Sequence, residues 1–171
     1  MHQNVHTTMS KSAISLAIIF FAFFSMAAFA HDDKSHKKSN APVSTIQHAW
    51  GQAGDAKKIT RTINISMSDN MCFTPSTIIV KQGETIRFVV TNGGKLLHEM
   101  VIGTTAELTK HAELMKKHPQ MEHDEPYMAH VAAGKRANLI WHFSMPGTFE
   151  FACLIPGHFE AGMRGTIIVN A

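Results

Sequence analysis

Three residues with metal-binding side chains lie at equal spacing near the end of the chain. The stretch CLIPGHFEAGM, residues 153 to 163, places Cys153, His158 and Met163 five positions apart. A thiolate, an imidazole and a thioether form a soft ligand set, and a thioether suits copper better than zinc, calcium or magnesium. Copper sites that transfer electrons use two imidazoles, one thiolate and a weakly bound Met. The stretch therefore predicts a copper site that needs a second histidine from elsewhere.

Two histidines are candidates for that second imidazole. His98 follows TNGGKLL and opens the alternating pattern HEMVI, so we expect it at a strand edge where loops converge. His142 lies inside LIWHFS, where the alternation favours a structural position. His98 is the preferred ligand. A metal shared between this strand and the late loop would stabilise the fold.

Short strands separated by turns would position these ligands. The folded domain is predicted to span residues 58 to 171. Its strand-like segments are rich in Val, Ile, Phe and Thr, and the turns between them are rich in Gly. About seven or eight such strands predict an all-β, Greek-key β-sandwich. The segments are 59–67, 76–80, 85–90, 97–102, 137–144, 148–153 and 165–170.

An insertion over residues 104 to 130 interrupts the strand pattern. Thr104 and Glu107 have the spacing of a capping box, so a helix is predicted to begin there and to stop at Pro119. The following residues, QMEHDEPYMAH, are predicted to form a loop.

The insertion is rich in His and Met and allows two interpretations. In one, an amphipathic helix lies on the sandwich and Met115 fills the core. In the other, thioethers and imidazoles form a second, more exposed Cu(I) site. The residues of that possible site are His111, Met115, His118, Met121, His123, Met128 and His130.

The start of the chain is predicted to direct export. Residues 1 to 30 hold one early Lys and a long apolar run that ends in Ala28-Phe29-Ala30, the pattern of a signal peptide cleaved after Ala30. An uncleaved membrane anchor is the alternative, and either one places the domain outside the cytoplasm, in the periplasm. Residues 31 to 57 are predicted to be a flexible polar leader, in which His31, His36 and His48 offer a weaker copper-binding alternative.

Charge and cysteine content argue against a nucleic-acid partner and against an internal disulfide. The net charge is only +3, and the lysines form no basic patch interleaved with aromatics, so no nucleic-acid partner is expected. If Cys153 binds metal, Cys72 has no disulfide partner in the chain, and it is predicted to pack as a small buried residue.

Three features of residues 58 to 171 resemble the cupredoxins, the family of plastocyanin, azurin and auracyanin. They are MCFTPSTIIVKQGETIRFVVTN, His98 after an Asn-Gly turn, and the terminal Cys-x4-His-x4-Met pattern. The resemblance implies a type 1 copper ion bound by His98, Cys153, His158 and Met163. Within the family, the insertion and the ligand loop look most like the periplasmic copper-tolerance proteins.

The resemblance implies one-electron transfer without conversion of a substrate, so the chain is not expected to be an enzyme. A monomer, free of the membrane once processed, would dock a redox partner near His158, at a patch that includes Pro156, Phe159 and Met163. Copper sequestration or delivery by the insertion is the alternative function. Glu99 departs from the family, because many cupredoxins have Asn after the first His ligand.

Overall fold

A computed structural model describes residues 46–119 and 123–171 of the chain. A short 3-10 helix (Ala56–Lys58) follows the first strand. A longer helix, α1 (Thr105–Lys117), follows the sixth. The strands are β1 (Gln52–Ala53), β2 (Arg61–Ser68), β3 (Cys72–Thr74), β4 (Thr77–Lys81), β5 (Thr85–Asn92), β6 (His98–Gly103), β7 (Met128–Val131), β8 (Arg136–His142), β9 (Gly147–Ala152) and β10 (Arg164–Asn170).

The strands form two five-stranded sheets that pack face to face. Sheet 1 has the order β1-β8-β5-β2-β3, and sheet 2 has the order β4-β10-β9-β6-β7. Most neighbours are antiparallel, but β2 pairs with β5 and β4 pairs with β10 in parallel. The β-sandwich with one inserted helix confirms the predicted fold class, although three strands lie outside the segments predicted from sequence.

Strand β6 is buried on both faces, which explains how it can carry a site. Met100 and Ile102 belong to the core between the sheets, whereas Val101 belongs to a second cluster under α1. The capping box of Thr104 and Glu107 begins the helix as predicted. Its buried residues Leu108, Ala112 and Met115 pack in that second cluster, which confirms Met115 as core filler.

The predicted boundary at residue 58 is wrong, because residues before it belong to the sandwich. Strand β1 pairs with β8, and Trp50 is 4% exposed. Gly51 has φ +123, and a Cβ at this position would lie 2.1 Å from the carbonyl oxygen of His142, so only Gly fits here. The polar composition around Trp50 concealed this short edge strand. The predicted signal peptide, residues 1 to 30, lies outside the described residues.

Two further predictions, a loop around Met128 and His130 and a buried Cys72, are wrong. Met128 and His130 lie in β7, which pairs with β6, and not in a loop. Cys72 is exposed at the start of β3, while Phe73 takes the buried position. Both cysteines are free thiols.

In the described part of the chain, no helix has the length and apolar character needed to cross a membrane.

Candidate metal centre

Two segments bring the four predicted ligands together. His98 is the first residue of β6. The other three lie on the loop that joins β9 to β10. The ligand atoms of His98, Cys153 and His158 all lie within 4.8 Å of one another. Met163 is fully buried at the end of the same loop.

Backbone hydrogen bonds fold the ligand loop back on itself. The N–H of Cys153 donates to the carbonyl of Met163, and the N–H of Met163 donates to the carbonyl of His158, both at 3.1 Å. The N–H of His158 donates to the carbonyl of Ile155 at 2.9 Å. These hydrogen bonds hold the three ligand residues of the loop near one another.

The imidazole of His98 is oriented for metal binding. Its Nε2 lies 3.0 Å from Oδ1 of Asp69. Its Nδ1 is buried and has no hydrogen-bond partner among the described residues. A buried polar atom without a partner costs free energy, and a bound metal would remove that cost. The orphaned nitrogen beside the buried thiol of Cys153 fits the soft donor set that copper requires.

Burial sets the protonation of the other two ligands in the metal-free chain. It raises the pKa of the Cys153 thiol to about 12, although the N–H of Glu99, 3.5 Å from Sγ, opposes this shift. Burial also lowers the pKa of His158, so this imidazole is more readily neutral. His158 Nδ1 lies 3.3 Å from Cys153 Sγ. Metal binding must therefore displace the thiol proton.

Glu99, the departure from the family, supports the ligand loop from the outer face of β6. Its carboxyl is 1% exposed, and Oε1 accepts a hydrogen bond of 2.8 Å from the N–H of Leu154. Oε2 lies 2.8 Å from Nε2 of His130, although no N–H is aligned with it for a strong hydrogen bond. The interaction with Glu99 raises the pKa of His130. An ion pair thus joins β7 to the residue beside the copper ligand.

Several residues of the possible second site pack in the core or contact other groups instead of one another. Met115 and Met128 are buried under the helix, and His130 contacts Glu99. His118 is exposed at the end of α1. Met121 lies outside the described residues.

One histidine pair of the insertion does come together. Nε2 of His111 and Nε2 of His123 are 2.8 Å apart, and both side chains line an open groove of about 790 Å³. Burial, followed by the charge of His123, lowers the pKa of His111. The 2.8 Å contact is a hydrogen bond in which one Nε2 donates to the other, so a metal ion bound by both nitrogens would have to replace that proton.

Of the other candidate histidines that the structure describes, neither lies with the predicted copper ligands, although His48 lines the same groove as His111 and His123. His142 lies in sheet 1, where its Nδ1 is 3.0 Å from the Thr85 hydroxyl, in agreement with a structural position. His48 packs against Trp50 with ring centroids 4.4 Å apart. His31 and His36 lie outside the described residues.

Sequence reasoning missed Asp69, which contacts a ligand from a turn. Asp69 stands in no recognisable motif and lies far from His98 in the chain. Only the parallel pairing of β2 with β5, which brings the turn after β2 beside the loop after β5, could have indicated the contact.

Comparisons with known proteins agree with this geometry. The family model of copper binding proteins, plastocyanin/azurin family, matches residues 60–170. The chain is 45% identical over 160 residues to the copper-resistant cuproprotein CopI of Rubrivivax gelatinosus, covering 94% of this chain and 96% of that protein. It is 33% identical over 164 residues to the protein of the same name from Vibrio cholerae, covering 90% and 96%.

A solved structure shows the same fold at lower identity. Auracyanin B aligns with a TM-score of 0.61 and 19% identity, covering 71% of this chain and 96% of that one. The site His98, Cys153, His158 and Met163 is consistent with one type 1 copper ion. The chain therefore belongs to the plastocyanin/azurin family of copper binding proteins.

Proposed function

We propose that the chain is a periplasmic copper-tolerance protein that exchanges one electron at its type 1 site. The supporting observation is a buried ligand set with one partly exposed imidazole, His158. Copper bound there would supply the Cu(I)/Cu(II) couple. The hydrogen bonds of the loop and the contact of Asp69 with His98 restrain the ligands, and this restraint would keep rearrangement on electron exchange small.

Copper tolerance is supported by the names of two relatives, both copper-resistant cuproproteins, which match 94% and 90% of the chain. Export to the periplasm is supported by the apolar run and the small-residue pattern before Ala30.

An exposed apolar surface beside the site supports transient docking of a redox partner. Leu96 and Leu97 directly precede His98 and are 47% and 50% exposed. Pro156 is also exposed, but Phe159 and Met163, expected in this patch, are buried. The docking surface we propose is therefore formed by Leu96, Leu97 and Pro156, near His158.

Leu97→Asp tests this surface. We expect electron self-exchange between Cu(I)- and Cu(II)-loaded protein to slow by roughly tenfold or more, because like charges would face each other in the encounter. Line broadening in NMR spectra of mixed oxidation states measures the rate.

Met145→Asp is the matched control, because Met145 is also exposed, at 52%, but lies before the start of β9. The ligand loop begins after the other end of β9. It should leave the rate unchanged, and both variants should keep the wild-type visible spectrum. A wild-type rate for Leu97→Asp would contradict the docking surface. Immeasurably slow exchange in the wild type would contradict electron transfer itself.

A second candidate function, sequestration of Cu(I), is favoured by the pair of His111 and His123. Their facing Nε2 atoms border an open groove, which would allow rapid metal exchange. This function and electron transfer at the type 1 site would both serve copper tolerance.

Replacing both His111 and His123 with Ala tests sequestration. The variant should lose one equivalent of bound Cu(I), measured by competition with a chromophoric Cu(I) chelator, and should keep the visible band of the type 1 site. His118→Ala removes an exposed histidine of the same helix end and should change neither quantity. Retention of the extra equivalent by the double variant, or its absence from the wild type, would exclude this pair as a Cu(I) site.

A further inference from the structure

The carboxylate of Asp69 contacts a copper ligand although Asp69 is not itself in the ligand set. Asp69 lies in the turn between β2 and β3, and its Oδ1 is 3.0 Å from Nε2 of His98. An ionised carboxylate can only accept hydrogen bonds, so Nε2 must carry the proton. In the neutral ring Nδ1 then has a free lone pair, and this is the buried atom without a partner.

The same carboxylate orders the loop that leads into His98. The N–H of Lys95 donates to Oδ2 at 2.8 Å, and the N–H of Leu96 donates to Oδ1 at 3.2 Å. These bonds fix the backbone immediately before the ligand. Asp69 therefore sets both the position of the β6 start and the rotation of the His98 ring.

Gly94 shows how closely the loop follows this carboxylate. A Cβ at Gly94 would lie 2.0 Å from Oδ1 of Asp69, so a larger residue would displace the side chain or the loop. Asn92, buried at the end of β5, braces the other side, since its Nδ2 donates to the carbonyls of Leu96 and Val131 at 2.7 and 2.8 Å. The loop before His98 therefore packs closely against the Asp69 carboxylate.

We propose that Asp69 is a positioning residue of the copper site, which fixes the tautomer and orientation of His98 and strengthens its imidazole as a donor to oxidised copper. A carboxylate that accepts the second N–H of a ligating histidine raises the basicity of that ligand. The negative charge favours Cu(II) over Cu(I). This inference rests on the copper site and not on the proposed electron transfer.

Asp69→Asn in the full chain removes the charge with little change in shape. We expect Cu(II) affinity to fall about 10- to 100-fold, as is typical when a partner of a ligating histidine is lost. The reduction potential should rise, because the oxidised state loses more stabilisation than the reduced state. Competition titration measures the affinity, and a spectroscopic redox titration measures the potential.

Asp55→Asn is the control for charge alone, because Asp55 caps the short 3-10 helix and contacts no ligand. Its affinity and potential should match those of the wild type. A wild-type affinity and potential for Asp69→Asn, or an equal change in Asp55→Asn, would overturn the proposal.

A measurement on the wild type keeps the test independent of whether the variant folds. Long-range ¹H–¹⁵N NMR of the metal-free protein identifies the tautomer of His98. Protonated Nε2 with bare Nδ1 is the expected state, and a proton on Nδ1 instead would overturn the proposal. A wild type that bound no copper would contradict the copper site itself, and the tautomer would still decide the role of Asp69.

Discussion

Replacing Cys153 with Ser abolishes the intense visible absorption of the Cu(II)-loaded protein, which is the largest effect we expect. That absorption arises from charge transfer between a thiolate and copper, and a serine hydroxyl cannot supply it. Cys153 is fully buried, and its Sγ is 3.3 Å from Nδ1 of His158, so no other thiol in the described residues can take its place. Absorption spectra at equal copper loading measure the loss.

Cys72→Ser is the matched control. Cys72 is a free, exposed thiol whose Sγ donates to the backbone oxygen of Asn70, and it is not part of the group of His98, Cys153 and His158 that could hold a metal ion. This variant should keep the full absorption. If Cys72→Ser lost the band and Cys153→Ser kept it, the assignment of the thiolate ligand would be wrong.

Replacing Glu99 with Ala should destabilise the metal-free protein by about 1–3 kcal/mol, because the buried N–H of Leu154 would lose its acceptor. The same change removes the partner of His130 and should shift the visible band of the copper-loaded protein, since Leu154 follows the Cys153 ligand. Urea unfolding measures the free energy of unfolding.

Glu99→Gln and His118→Ala serve as controls. Gln keeps an acceptor for the N–H of Leu154, so Glu99→Gln should lower the free energy of unfolding less than Glu99→Ala does. His118 is exposed and its loss should cost little. An unfolding free energy for Glu99→Ala equal to that of the wild type would contradict a supporting role for this carboxyl.

The pH dependence of the Glu99→Ala effect gives a second check. Contact with Glu99 raises the pKa of His130 above its ordinary value of 6.5. The stabilisation from this pair is therefore fully present below about pH 6.5 and is lost as the pH rises through the pKa of the folded state. The difference between wild type and Glu99→Ala should be larger near pH 6 than near pH 9. A constant difference would show that the pair contributes nothing.

The sequence predicted the ligands better than the groups that hold them. Cys153, His158 and Met163 share one loop, so their spacing alone indicated a soft metal site. His98 could be selected because it opens a strand. The contact of Asp69 with His98 depends on the parallel pairing of β2 with β5, which brings the segments that follow these two strands together. A local sequence pattern does not reveal such a pairing.

Short strands account for most errors in the predicted fold. β1 has two residues and β3 has three, too few for an alternating pattern to be visible. β7 has four residues among polar neighbours, so its pairing with β6, and with it the contact between His130 and Glu99, was hidden. Longer strands such as β5 and β10 carry clear β-branched patterns and were predicted within two residues.

We assign His98, Cys153, His158 and Met163 as the ligands of one type 1 copper ion. Titration of the metal-free full chain with Cu(II), followed by visible absorption and electron paramagnetic resonance, tests this assignment. We expect the thiolate-to-copper band to grow with the first equivalent and to saturate there, and later equivalents to add no such band. Uptake of the first equivalent without that band would contradict the site.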